Sequence, residues 1–176
     1  MSIEYNRTQF DEYAAELAGP SRDRPMRLAI EQMVRRFFHE SDHKRWAKVM
    51  EFFTNFPTVI SHLGQPGSIF RGRAAAIDCL KVGAEAFERT VLHTIVVDRG
   101  RVTCHIINFH MDASEDDEFH EIDHIVVVDL DKTNRIERLE YRDTTRRIKK
   151  HKGGQQVLGA LVSEAEQDAI AVDYSA

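Results

Sequence analysis

Residues 120–124, His120-Glu121-Ile122-Asp123-His124, spell H-E-x-x-H. On a helix this pattern sets two imidazoles one turn apart with a carboxylate between them, the ligands and general base of a zinc protease. The flanking residues favour another backbone. Ile125-Val126-Val127-Val128-Asp129-Leu130 follows, a β-branched run that suits a pleated strand and resists a helix. In a strand the two histidines still share a face, but their Cα atoms stand roughly 13 Å apart at about 3.3 Å per residue. Imidazoles so spaced do not meet at one zinc, whose bonds to nitrogen are about 2.0–2.1 Å. No G-x-x-H continuation follows either. The segment therefore reads as a strand, with neither metal nor cofactor expected. Asp123 becomes the residue to explain, on a face with Phe119, Glu121, Ile125 and Val127.

Other chemistry-bearing side chains fall on neighbouring strand-like segments. From 102 to 112 one face carries Thr103, His105, Ile107, Phe109 and Met111; the other carries Cys104, Ile106, Asn108, His110 and Asp112 and is more polar. The His105 face is assigned to the interior, a choice that a one-residue register slip would invert. Further on, Leu139, Tyr141 and Asp143 alternate to one side, with Arg138, Glu140 and Arg142 toward solvent. His62 follows a short strand, and His93 shares a face with Val91, Ile95 and Val97 and reads as core. Imidazole, phenol and carboxylate together suit general acid–base catalysis, which needs a donor and an acceptor facing one small cavity. The plainer readings are a structural carboxylate at Asp123 and a satisfied core histidine at His105. A nucleophile is not indicated. No serine sits in a strained elbow, and Cys79 and Cys104 form no C-x-x-C and read as reduced, packed thiols. Gly153-Gly154 lacks the strand–turn–helix context of a phosphate loop.

The elements that must position these groups come in two blocks. Thr8 can cap a short helix through Leu17, ended by Gly19-Pro20. Asp23 and Pro25 start a stronger one, with Met26, Ile30, Met33, Val34, Phe37 and Phe38 on one stripe. Ser41-Asp42 is expected to cap a third, with Trp46, Val49, Met50 and Phe53 inward. Short strands at Pro57–His62 and Ser68–Arg71 flank a Gly/Pro loop, and Gly72 opens a helix burying Ala76, Ile77, Leu80, Ala84 and Phe87. Four longer strands follow: Val91–Asp98, Val102–Asp112, Phe119–Leu130 and Ile136–Thr144, joined by short turns that make neighbours antiparallel. The basic run from Arg142 to Lys152 reads as a solvated strand end and loop, and a last helix carries Val157, Leu158, Leu161, Val162 and Ala165.

With 176 residues the chain suits one domain. Its 24 basic and 29 acidic residues give a net charge of −5, which argues against a nucleic-acid partner. No stretch approaches the ~18 apolar residues of a membrane span, and Met1–Tyr5 opens no signal-peptide core; a cytoplasmic location without a membrane partner is expected.

The order helix, helix, short strand, helix, four-stranded meander resembles the nuclear-transport-factor-2-like superfamily. That superfamily includes ketosteroid isomerase, SnoaL-like polyketide cyclases, scytalone dehydratase and limonene epoxide hydrolase. The resemblance runs from about Met26 to Thr144. It rests on Trp46-x-x-Val49-Met50-x-x-Phe53, the Phe70-Arg71-Gly72 turn into a helix, the Ile122-Asp123-His124 strand, and Ile136-x-x-Leu139-x-Tyr141-x-Asp143. It implies an α+β fold in which a cone-shaped, curved antiparallel sheet wraps the N-terminal helices around a deep pocket. The implied organisation is a helical extension at 1–24, the cone domain at 25–145, and a basic loop with a C-terminal helix at 146–176. Asp123 looks like the protonated acid of the isomerase's oxyanion hole, a carboxyl kept neutral by an apolar site. The isomerase's oxyanion-hole tyrosine falls at Phe37, which cannot donate, and its proton-shuttling aspartate falls near Ser61, beside His62, so steroid isomerisation is not implied. The expected activity is a cofactor-independent isomerase, cyclase, dehydratase or hydrolase acting on a small apolar carbonyl or polyketide-like molecule. Asp123, His105, Asp143, Tyr141 and His62 are the candidate catalytic residues, with Phe37, Trp46, Met50, Phe53, Phe109 and Leu139 lining the pocket. The alternative is a non-catalytic ligand-binding or dimerisation module. A homodimer through the outer sheet face is expected because His120, Val126, Val128 and Leu130, assigned to that face, make a set too apolar for solvent.

Overall fold

The computed structural model describes residues 24–61, 67–82, 87–111, 118–143 and 148–168. The helix expected at Thr8–Leu17, together with His62, Ala84 and Asp112, lies outside them. The first described helix, α1 (Arg24–Asp42), tolerates Pro25 because first-turn N–H groups have no intrahelical acceptor. Ile30, Val34, Phe37 and Phe38 recur at helical spacing and are buried, whereas Met26, assigned to the same stripe, is exposed. Ser41 and Asp42 close α1 rather than capping the next helix. The Ser41 hydroxyl is spent within α1, donating to the Phe37 carbonyl at 2.9 Å. Lys44, at φ 56°, turns the chain. The short α2 (Trp46–Glu51) then starts from Arg45 without a side-chain cap.

Strand β1 (Phe53–Ser61) pairs antiparallel with β2 (Ser68–Arg71). Gly72 follows at φ 84°, a backbone state that suits glycine, and leads into α3 (Arg73–Leu80). The Arg73 guanidinium pins α3 to β1, donating to the carbonyls of Thr54 at 2.9 Å and Phe53 at 2.8 Å. Phe87, expected on the buried side of that helix, instead opens β3 (Phe87–Asp98) opposite Met111, because its ladder partner satisfies the backbone there. The meander continues through β4 (Arg101–Met111), β5 (Glu118–Leu130) and β6 (Ile136–Asp143). Arg99 and Gly100, at φ 43° and 87°, form the tight β3–β4 turn with the left-handed backbone that matches strand twist. Asp131 Oδ1 closes the β5–β6 turn by accepting from the Thr133 N–H and hydroxyl and the Arg135 N–H at 2.7–3.0 Å.

The strand order is β2-β1-β6-β5-β4-β3, and β1 runs parallel to β6, so the sheet is mixed rather than wholly antiparallel. The basic run contains a strand where a loop was expected: β7 (Lys149–Lys152) pairs with β5. Lys149 meets Glu121 at 2.6 Å, Lys150 meets Glu118 at 2.8 Å, and these cross-strand charges hold the segment against the sheet.

The two faces of the sheet carry different cores. The inner face, with Val59, Cys104, Ile106, Val126, Val128 and Leu139, packs against α1–α3. The outer face, with Val91, Phe109 and Phe119, is covered by the final helix α4 (Gly154–Asp168) through Leu158. Val126 and Val128 therefore belong to the interior, and Leu130 packs against the same cluster. The apolar outer surface that suggested a sheet-to-sheet dimer is not formed by them. Away from α4 the outer face carries a ladder of charges in which Arg101 and Arg138 hold Asp129, and Arg138 and Arg142 hold Glu140. Among the described residues no helix is long and apolar enough to cross a membrane.

Candidate functional site

A cavity of about 500 Å³ opens between the inner sheet face and the helices. Its floor is Ile106, Asn108 and His110 on β4, Ile122 and His124 on β5, Tyr141 on β6 and Ser61 on β1. Its walls are Phe38, Ser41 and Asp42 of α1, Trp46 of α2, and Cys79 and Leu80 of α3. Val82 and Ile148, 79% and 55% exposed, mark its open side.

Register sets the spacing of the floor. His124 stands between Ile106 on β4 and the backbone of Asp143 on β6, while Tyr141 lies between Val126 and Ser61. His124 and Tyr141 are thus diagonal neighbours on one face, a relation that places residues roughly 7–8 Å apart. His124 is only 3% exposed, so its imidazole works in a water-poor setting. On the helix wall Asp42 is anchored twice by Thr90. Its Oδ2 accepts from the Thr90 N–H at 2.8 Å and its Oδ1 from the Thr90 hydroxyl at 2.8 Å. That hydroxyl accepts in turn from the Asn108 amide at 3.4 Å.

These positions correct the sequence-based faces of β4 and β5. His105 and Asp123 are brought together, Nε2 to Oδ1 at 3.2 Å, but on the outer face, with the His93 ring 5.0 Å from that of His105. His93, expected in the core, is half-buried beside them and meets the Thr94 hydroxyl at 3.1 Å, at the bulge between Leu92 and Thr94. The face of His124 and His110, not that of Asp123 and His105, meets the cavity. Alternation could not choose between them, because α4 buries part of the outer face and gives β4 and β5 apolar residues on both sides. The H-E-x-x-H residues are separated by the same pleat. Glu121 is turned outward to Lys149 and His151, away from the face of His120 and His124, so the zinc-protease arrangement is not formed. Among the described residues no group of three or more His, Cys, Asp and Glu is placed to hold a metal ion.

Of the expected lining residues, Trp46 meets the cavity. Phe37, Phe53 and Leu139 are fully buried in the inner core, Met50 packs against it, and Phe109 lies under α4. Tyr141 stands where it was expected, and Asp143 follows two residues on in the same strand. His124, His110, Asn108, Thr90 and Asp42 were missed. The polar character of the Asn108–His110 face was the available signal; Asp42 was hidden by its resemblance to a helix cap. Cys79 touches the cavity, but burial pushes its thiol up, away from thiolate chemistry.

A smaller cavity of about 300 Å³ lies behind Asp42, between α1, β3 and α4. Arg35, His39, Arg89 and Glu166 line it, and it shares Phe38, Asp42 and Thr90 with the larger one.

No protein-family model matches the chain and no curated protein matches it. Solved structures do. One is SalBIII, described as an epoxide hydrolase/cyclase-like enzyme in pyran ring formation in the polyether salinomycin. It shares 14% identity over 69% of this chain and 95% of its own, with a TM-score of 0.61. A second is a proposed polyketide cyclase, protein SMa1630 from Sinorhizobium meliloti, at 14% identity, covering 63% and 94% of the two chains, with a TM-score of 0.52. A third is RV0760c from Mycobacterium tuberculosis, at 8% identity, covering 70% and 94%, with a TM-score of 0.57. At these identities the likeness establishes the fold alone, an α+β arrangement of helices against a mixed, unclosed sheet.

Proposed function

We propose that this chain is a cofactor-independent acid–base enzyme acting on a small, mostly apolar carbonyl or polyketide-like molecule held in the larger cavity. The observation that carries the reading is the convergence of His124, Tyr141, His110 and Asp42 on one cavity otherwise walled by Phe38, Trp46, Leu80, Ile106 and Ile122. Apolar walls with a few convergent polar groups are the usual make-up of a small-molecule site. Two neighbours of the same fold, described as an epoxide hydrolase/cyclase-like enzyme and a proposed polyketide cyclase, support the same class of chemistry. In this reading a carboxylate removes a proton next to the carbonyl. His124 or Tyr141 then donates a hydrogen bond to the oxygen on which negative charge develops, an interaction strengthened by the dry surroundings.

The test needs no native substrate. 2-Tetralone, a compact apolar ketone, carries exchangeable protons beside its carbonyl. Saturation-transfer NMR is expected to show it binding, and in D2O the protein should speed α-proton exchange above the buffer rate. His124→Ala is expected to lower that exchange by roughly 10²–10³-fold, the usual cost of removing one donor to a developing oxyanion, and Tyr141→Phe to lower it less. Binding with no exchange above background would overturn the catalytic reading and favour a ligand-binding module.

A further inference from the structure

We infer that Asp42 is the proton acceptor of this site and that Thr90, backed by Asn108, is the residue that positions it. The inference rests on the acid–base reading above and adds to it the identity of the base.

Three observations carry it. The first is the donor count: both oxygens of Asp42 are held by one residue, through a backbone N–H and a hydroxyl, each at 2.8 Å. Hydrogen bonds donated to a carboxylate favour its ionised form, which is the form able to take a proton. The second is direction. The Asn108 amide reaches the Thr90 oxygen at 3.4 Å, which occupies that oxygen as an acceptor and turns the hydroxyl hydrogen toward Asp42. Thr90 and Asn108 are direct cross-strand partners, so the sheet itself holds this chain of donors in line. The third is access. Asp42 borders both the larger, mostly apolar cavity and the smaller one, where Arg35, His39, Arg89 and Glu166 supply charged and polar groups. The smaller cavity sets these polar groups beside Phe38, Val91 and Leu92 and, at about 300 Å³, is roomy enough for several water molecules. The carboxylate thus faces the substrate on one side and a route to solvent on the other.

The step balances on these groups alone. The α C–H bond of a ketone breaks, its proton forms an O–H bond on Asp42, and the electron pair moves onto the carbonyl oxygen. The proton, or a deuteron exchanged from solvent through the smaller cavity, then returns to carbon.

With 2-tetralone in D2O, Asp42→Asn is expected to leave binding in place and to lower α-exchange by roughly 10²–10⁴-fold. Thr90→Val keeps the backbone donor and loses the hydroxyl; exchange should fall about 10-fold, the worth of one hydrogen bond to a charged group. Thr90→Ser should restore it. Independently of any ligand, the Asp42 carboxyl followed by carbon-13 NMR is expected to titrate at higher pH in Thr90→Val than in wild type, and not in Thr90→Ser. Unchanged exchange in Asp42→Asn, or loss of exchange in Asp143→Asn alone, would overturn the assignment while leaving the site intact. An unmoved Asp42 titration in a folded Thr90→Val protein would overturn the positioning role. Failure of 2-tetralone to bind any of these proteins would count against the cavity reading itself.

Discussion

The Cys104 thiol is pushed up to about 12 because burial penalises the thiolate, and nearby Glu31 adds to this while Arg35 opposes it. Cys79 is raised by burial as well. Both sulfurs are therefore protonated at neutral pH and poor nucleophiles, although Cys79 touches the cavity. Ellman's reagent at pH 8 is expected to leave Cys104 unmodified in the folded protein, to react slowly with Cys79, and to titrate two thiols after unfolding. Fast labelling of Cys104 in the native state would contradict its burial. The same dry interior acts differently on His124. Burial that silences a thiol gives an imidazole N–H a stronger hydrogen bond to any oxygen placed beside it.

Helix α4 holds to the outer face by apolar contact more than by charge. Leu158 is buried against Val91, Phe109 and Phe119, whereas the Arg89–Glu166 pair, at 3.1 Å, is largely exposed. Exposed pairs contribute about 0–1 kcal/mol, and a buried leucine cut back to alanine costs about 2–5 kcal/mol. Leu158→Ala is expected to lower unfolding free energy in urea by that larger amount, and Glu166→Gln to leave it nearly unchanged. The reverse order would mean that charge, not packing, docks the helix. This element also explains why the strand pattern misled. Phe109, Phe119, Ile125 and Val127 look like core on a face that no other sheet element covers, and α4 is the reason for part of that pattern.

Across the molecule, acidity should loosen the sheet through its acidic partners. Asp129 is lowered chiefly by the hydrogen bond from Arg101; burial opposes this, and the hydrogen bond from Arg138 adds to the lowering. Glu118 is lowered by the hydrogen bond from Lys150. A carboxyl held lower in the folded than in the unfolded chain adds stability that is complete above the unfolded value, about 3.9 for Asp. That stability disappears as pH falls through the folded value. Asp129→Asn is therefore expected to be less stable than wild type at pH 7, with the difference shrinking steadily below about pH 4 in urea unfolding. A difference that stays constant from pH 7 to pH 2 would refute the linkage.

The order and type of elements were legible along the chain because they depend on local pattern. Helical spacing in Ile30–Phe38, β-branched runs in Val126–Val128 and the Arg99-Gly100 turn each act within a few residues, and each produced the expected element. Tyr141 could be placed on the cavity side because its strand alternates cleanly between Leu139 and Tyr141 inside and Arg138 and Arg142 outside. Only the tertiary structure could decide the faces of β4 and β5, since both are buried, one by α1–α3 and the other in part by α4. It alone brings Asp42 to Thr90, residues 48 apart in sequence, through bonds between a helix end and a strand. Periodicity reports how a residue repeats along its own element; which face meets the cavity depends on what that element packs against.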